Sequence, residues 1–167
     1  TKHINRGNIQ TFEEFSEKIW KKTLDVNLNG AFFCCQEAGK HMVKNKKGVI
    51  LNITSIYGVV AADQRIYGKS GQNSNIAYAV TKAGLINMSR YLASYWQGKN
   101  IRVNSLSPGG VHDNQDKDFV KNYENKTILK RMATPKDLSS ALVYLVSDAS
   151  SYVTGFNLVV DGGWTAW

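Results

Sequence analysis

The chain is poor in the residues that staple, break or anchor a protein. It has two cysteines, Cys34 and Cys35, adjacent in sequence. Neighbours on one helix do not reach disulfide geometry, so a bridge-bearing secreted scaffold is excluded and a reduced, cytoplasmic setting is expected. Two prolines and an ordinary 43% of hydrophobic residues exclude disorder as the main state. No apolar run reaches the ~18–20 residues of a membrane span. The opening Thr-Lys-His-Ile-Asn-Arg lacks the apolar stretch of a secretory leader. Histidine and cysteine stand at no ligand-like spacing, so no metal site is expected. Acidic residues number 13 against 21 Lys and Arg, a net charge of +8. Such an excess attracts polyanions. Here, however, the cations are dispersed from Lys2 and Arg6 to Arg131, and the densest run, Lys44 to Lys47, reads as a solvated turn. A nucleic-acid or membrane partner is therefore not expected.

What is present alternates between helical and extended patterns. An amphipathic stretch begins at Thr11, where Thr11-Phe-Glu-Glu has the form of a cap. Leu24, Leu28, Ala31, Phe32, Cys35, Ala38 and Met42 recur at three- and four-residue steps and predict a helix over about 24–43. A short strand follows at 49–53, then a polar loop over 57–75 and a helix over 76–96. The run 101–107 is a second strand, and an irregular charged segment reaches Thr134. Pro135 suits the first position of a helix over 135–146. The last strand, 156–160, ends on Asp161-Gly-Gly163. Strands separated by helices predict crossover units, a parallel sheet and helices on both faces. Three strands are few for an open sheet, so residues 1–167 read as one incomplete domain, the second half of a larger fold.

In open α/β sheets, ligands bind beyond the carboxyl ends of the strands. Two loops leave such ends, Asn52-Ile-Thr-Ser55 and Ser107-Pro-Gly-Gly110. Between them Tyr78 and Lys82 stand four residues apart, on one helical face and ~6 Å apart along the axis. A free tyrosine, with a pKa of about 10, is a poor base at neutral pH. A nearby ammonium favours the phenolate, as does a place in the first turn of a helix. Lowering a phenol to about 7 needs roughly 4 kcal/mol. The helix dipole supplies at most ~2 kcal/mol, leaving the rest to the lysine and a cationic cofactor ring. Such a phenol can exchange a proton with an alcohol or carbonyl oxygen that Ser55 holds. Taken alone, Tyr-x-x-x-Lys is better read as a packed ring beside a lysine reaching for water.

Several motifs in order narrow the choice. Asp25-Val-Asn-Leu-Asn-Gly30, Ile53-Thr-Ser55, Tyr78-Ala-Val-Thr-Lys82, Arg102-Val-Asn-Ser-Leu-Ser-Pro-Gly109, Arg131-Met-Ala-Thr-Pro135 and Thr154-Gly-Phe-Asn-Leu-Val-Val-Asp-Gly-Gly163 together resemble the single-domain short-chain dehydrogenase/reductases. The resemblance implies an α/β, Rossmann-type doubly wound parallel sheet and an NAD or NADP cofactor. It implies Tyr78 as general acid/base, Ser55 as the group positioning the reacting oxygen, and Lys82 as the residue that tunes Tyr78 and binds the nicotinamide ribose. Asn27 would hold a water that links Lys82 to solvent, or else merely satisfies a bend in its helix. Pro108, Gly109 and the Val111 backbone would cradle the nicotinamide. The family's helices equivalent to 24–43 and 76–96 pack across a dyad. A homodimer or homotetramer is therefore expected, with Phe32, Phe33, Tyr91, Tyr95 and Trp96 as interface candidates.

Three departures accompany the resemblance. The family's glycine-rich first turn is absent, so the chain is expected to be a piece of a longer protein, unable to bind dinucleotide or fold stably by itself. Asp113 stands where the family places a threonine near the cofactor, so it either turns outward or reads substrate. Ser55 and Tyr78 are 23 positions apart, more than is usual, and the extra stretch of about 62–75 is rich in hydrogen-bonding groups. Gln64, Arg65, Tyr67 and Lys69 are candidate substrate contacts there, on a small molecule such as a sugar or nucleotide sugar. The resulting expectation is an oxidoreductase interconverting a secondary alcohol and a ketone. The alternatives are a dehydrogenase-like scaffold without catalysis and a nucleotide-sugar epimerase or dehydratase.

Overall fold

The computed structural model describes residues 11–70 and 72–167. Lys2, Arg6 and the opening sequence lie outside the described residues, as does Gly71 of the extra stretch. Three strands, β1 (Gly48–Ile53), β2 (Ile101–Pro108) and β3 (Asn157–Val160), form one parallel sheet in the order β1-β2-β3. Gly48 to Ile53 stand opposite Ile101 to Leu106, and Ser105 to Pro108 opposite Asn157 to Val160.

The helices are α1 (Glu17–Leu24), α2 (Gly30–Asn45), α3 (Ile76–Tyr95), α4 (Lys117–Lys126) and α5 (Pro135–Val146). Alternate residues of a strand face opposite sides of a sheet. Ile101 and Val103 pack with Cys35, Trp96 and the apolar sides of α2 and α3. Arg102, between them, reaches the other way and donates to the Leu145, Ser147 and Val153 carbonyls at and beyond the end of α5. The sheet is thus covered on both faces, the doubly wound arrangement.

Helix ends follow local chemistry. Asn75 Oδ1 accepts from the amides of Ala77 and Tyr78 (2.8 and 3.4 Å), fixing the start of α3. Thr134 and Asp137 form a reciprocal capping box at α5, and Arg131 clasps the same Asp137 carboxylate through two nitrogens, each at 2.8 Å.

Three expectations need correction. The first helix is capped by Ser16 rather than begun at Thr11, because Thr11–Phe15 closes into turns. The helix expected at 24–43 runs on from α1 through a π-helical turn, Asp25–Asn29. The charged segment after the Pro-Gly-Gly turn contains α4, capped by Asp116, whose Oδ1 accepts from the amides of Asp118 and Phe119.

Gly39 of α2 leaves room for the ring of Trp96, the residue just beyond α3. A Cβ there would collide with the Trp96 ring, which is buried in the core rather than free for an interface. Phe32, Phe33, Tyr91 and Tyr95 do remain exposed, the first two edge to face and the last two stacked.

Candidate active site

The carboxyl ends of β1 and β2 are clamped together by hydroxyls. The Thr54 amide donates to the Leu106 carbonyl (2.7 Å), and Thr54 Oγ1 lies 2.9 Å from that carbonyl and 2.6 Å from Ser107 Oγ. Ser105 and Ser107 both donate to Asn157 Oδ1 at 2.8 Å, which extends the clamp to β3. Ser55 leaves this clamp in extended conformation, buried, and caps the short 3-10 turn Ile56–Gly58 by accepting from the Tyr57 amide at 3.2 Å.

Gly58 then brings that turn against α3. A Cβ at Gly58 would stand 2.7 Å from the Lys82 carbonyl carbon and 2.9 Å from the Ala83 nitrogen, all backbone that cannot yield. The residue after which the turn closes therefore has to be glycine, and the contact sets Ser55 beside the helix that carries the tyrosine and lysine.

Tyr78 is the third residue of α3, within the capped first turn. Lys82 Nζ lies 5.5 Å from the centre of the Tyr78 ring, within cation–π range, and donates to the Ile53 carbonyl at 2.9 Å. The amine is thus tied to the strand end two residues before Ser55. Burial pushes the Lys82 amine down from the ordinary lysine range. Asn27, in the π-helical turn, donates to Thr81 Oγ1 at 3.3 Å, and Thr81 in turn donates to the Tyr78 carbonyl at 2.9 Å. Asn27 therefore stands both at a helix irregularity and beside the residue preceding Lys82. Single π turns concentrate at functional positions.

The second loop is ordered from two sides. The Gly110 amide donates to the Tyr123 hydroxyl, and the Tyr123 ring stacks on Trp164 with centroids 4.4 Å apart. Burial pushes the Tyr123 phenol up to about 12. Val111 bridges Ala133, and its carbonyl accepts from Gln115 Nε2 at 2.8 Å. Pro108, Gly109 and Val111 are left part-exposed. Asp113 is exposed, its amide held by Gln115 Oε1.

The extra stretch is a built element. It carries a 3-10 segment, Gln64–Ser70, kinked at Gly68. The Gln64 amide clasps the Ser74 backbone through both its atoms. Asp63 is bound by Arg65 and by Lys126 of α4, which together hold its carboxyl well below the usual range, and Asn122 donates to the Ile66 carbonyl. Tyr67 packs on Phe119 of α4 at 5.5 Å between centroids. Of the four candidates here, Tyr67 is half-buried and turns toward Tyr57, to which it hydrogen-bonds. Arg65, Lys69 and Gln64 are exposed. Gly58, Thr54, Asn157 and Tyr123 were not among the candidate residues. Thr54 and Asn157 stood inside quoted motifs without a role of their own, Gly58 is a glycine three residues after Ser55, and Tyr123 had no sequence signal.

Among the described residues no group of three His, Cys, Asp or Glu side chains could hold a metal ion, and no helix is long and apolar enough to cross a membrane. Cys35 is buried against Asn52 and Cys34 is exposed, both as free thiols.

Residues 4–165 match a family model described as enoyl-(acyl carrier protein) reductase. A flagellin modification protein, "Post-translational flagellin modification protein A" of Campylobacter coli, is 38% identical over 95% of this chain and 61% of its own length. D-threitol dehydrogenase of Mycolicibacterium smegmatis is 35% identical over 92% of this chain and 57% of its own. Among solved structures, a short chain dehydrogenase from Leptospira borgpetersenii with bound NAD+ superposes with a TM-score of 0.88 at 46% identity, over 93% of this chain and 60% of that one. The chain thus spans about three fifths of the length of these relatives.

Proposed function

We propose that this chain, which belongs to the short-chain dehydrogenase/reductase family, carries the catalytic portion of a nicotinamide-dependent oxidoreductase that interconverts a secondary alcohol and a ketone. The observation that carries the reading is the convergence of three groups. Lys82 Nζ lies against the Tyr78 ring and on the Ile53 carbonyl, and Gly58 presses the Ser55 turn onto the Lys82 backbone.

The residues present fit the nicotinamide end of NAD or NADP. Pro108 and Gly109 are part-exposed at the carboxyl end of β2, where glycine offers no side chain to block a ligand, and the Val111 carbonyl keeps a second lone pair beyond the bond to Gln115. Tyr78, Lys82, Pro108, Gly109 and Val111 would hold the cofactor, which supplies or accepts the hydride when bound. The chain's own groups do the rest. Ser55 Oγ donates to the substrate oxygen and fixes its place. Tyr78 Oη gives that oxygen a proton in reduction and takes it back in oxidation. The Lys82 ammonium supplies positive charge beside the phenol as the proton leaves. Asn27, reaching α3 at Thr81, stands where a water can return a proton to Lys82 from solvent.

The substrate read from these features is hydroxylated, a sugar, polyol or nucleotide sugar. The polar 62–75 stretch beside the site and the relative named for D-threitol support this class. Tyr67 stands nearest Ser55 through Tyr57, while Gln64, Arg65, Lys69 and Asp113 are exposed groups available to the outer part of a larger substrate. Residues 1–167 act in this reading as one incomplete Rossmann-type domain in a cytoplasmic protein. Phe32, Phe33, Tyr91 and Tyr95 offer the surface of a homodimer or homotetramer.

The test is NADH and NADPH consumption by the complete gene product with a panel of ketoses. Tyr78→Phe keeps the ring and removes the proton, so turnover should fall by at least about 10²-fold with unchanged thermal stability. A Tyr78→Phe protein as fast as its parent overturns the assignment.

A further inference from the structure

We infer that Tyr57 and Tyr67 read the hydroxyl groups of a neutral polyhydroxylated substrate that lie away from its reacting carbon, an inference that rests on the dehydrogenase reading above. The two residues come from separate parts of the chain. Tyr57 follows Ser55 in the same 3-10 turn, and its amide is bonded to Ser55 Oγ. Tyr67 comes from the extra stretch, and its phenol hydrogen-bonds to Tyr57 and to Ser74. Both rings are half-buried, and the phenols of Tyr57 and Tyr67 lie near enough to Tyr78 to feel its charge. The pair therefore stands beside Ser55 and within electrostatic reach of Tyr78.

A specificity element needs a fixed position, and this one has it. Ile66, beside Tyr67, is 2% exposed and packs with Ile56, Tyr123, Met132 and Trp164. Asn122 holds the Ile66 carbonyl, Lys126 holds Asp63, and Phe119 supports the Tyr67 ring. Tyr67 is thus presented by a wall latched to α4.

The chemistry selects the ligand. Burial pushes both phenols up from the ordinary tyrosine range, so each stays a neutral O–H that donates one hydrogen bond and accepts others. That matches the donors and acceptors of a carbon chain bearing several hydroxyls. An alkyl or acyl chain laid on the pair would strip water from two hydroxyls and return nothing. Two neutral phenols bring no positive charge to offset a phosphate, so the pair itself matches uncharged hydroxyl groups.

The experiment follows NAD+ or NADP+ reduction by the complete gene product. It compares erythritol, xylitol and sorbitol with 2-butanol, 2-pentanol and 2-hexanol. The parent should prefer alditols, and Tyr57→Phe and Tyr67→Phe should each lower the alditol-to-monoalcohol ratio of kcat/KM by about tenfold, mainly through the alditol KM. Ser74→Ala, which removes a partner of the Tyr67 phenol and leaves the aromatic packing intact, should move the ratio the same way by less. It decides the matter if either phenylalanine variant folds poorly. A ratio unmoved in all three variants overturns the inference, as does a parent that favours the monoalcohols. If Tyr78→Phe is then inactive, the dehydrogenase reading survives that result. A parent that oxidises neither set refutes the dehydrogenase reading and this inference with it.

Discussion

Thr54→Val separates the hydroxyl clamp from mere packing at the end of β1. Thr54 is 3% exposed, and valine has nearly its shape, so the perturbation is the loss of one hydroxyl. Ser107 has a single proton and gives it to Asn157 Oδ1, which makes Thr54 the donor toward Ser107 Oγ and shares its proton with the Leu106 carbonyl. After substitution, the Leu106 carbonyl still receives the residue 54 amide at 2.7 Å and Ser107 still holds Asn157. No buried group is left wholly unpaired. The loss is therefore that of one or two net hydrogen bonds, about 1–2 kcal/mol, rather than the larger penalty of an orphaned buried donor. Urea unfolding of the complete gene product should show an unchanged m value. With m of about 1–3 kcal/mol/M, the midpoint should fall by roughly 0.3–2 M. Thr54→Ser keeps the hydroxyl and should recover most of the difference. A valine variant within about 0.3 kcal/mol of the parent, or a serine variant no better than valine, would refute the clamp as the device that fixes Ser55.

Gly58→Ala places a Cβ 2.7 Å from the Lys82 carbonyl carbon, so the Ser55 turn must retreat from α3. A displacement near 1 Å at reacting groups costs about 10²-fold in rate, and kcat should fall by that order while cofactor affinity changes little. Equal kcat for parent and variant would show that the close approach is dispensable. Asp63→Asn should open the 62–75 wall, read as faster tryptic cleavage after Arg65 or Lys69 at neutral pH; an unchanged cleavage rate counts against the latch. Arg65 and then Lys126 hold the Asp63 carboxyl down, so its contribution is complete above the unfolded carboxylate range near pH ~4 and is lost as pH falls through the lower folded value. Hydrogen exchange in this segment should therefore be the same at pH 7 and pH 5 after correction for intrinsic rates and rise only in stronger acid. Loosening already complete at pH 5 would contradict that sign.

The parts most legible in the sequence were those with one dominant period. The α3 boundary at Ile76, the three parallel strands and the Pro135 start of α5 follow from apolar spacing and capping chemistry. The Tyr78–Lys82 face follows from helical geometry alone. The π-helical turn at Asp25–Asn29 was hidden because one extra residue in a helical turn leaves the composition of both flanking helices ordinary. The first helix was placed too early because Thr11 and Ser16 both have cap chemistry, and only the turns at Thr11–Phe15 decide between them. The clamp residues Thr54, Ser107 and Asn157 were invisible for another reason. Their meaning lies in register across strands, between residues 50 and 53 positions apart, which no local pattern encodes.

Helix α4 shows most clearly why a charged sequence concealed a structural element. Phe119, Asn122, Tyr123 and Lys126 fall at i, i+3, i+4 and i+7, one face of a helix, but two of the four are polar, so a search for apolar recurrence passes over them. Each makes a different kind of contact from that face. Phe119 meets the Tyr67 ring, Asn122 the Ile66 carbonyl and Lys126 the Asp63 carboxylate, while Tyr123 receives the Gly110 amide and stacks on Trp164. The first three fix the wall beside Ser55, and the fourth fixes the loop after β2. Because all four side chains project from three turns of one short helix, a shift of α4 cannot move the wall without also pulling on the Gly110 amide. The two sides of the candidate site are therefore held in register by α4 as well as by the sheet beneath them, and the polarity that hid the helix is what lets it bind a carbonyl, a carboxylate and an amide at once.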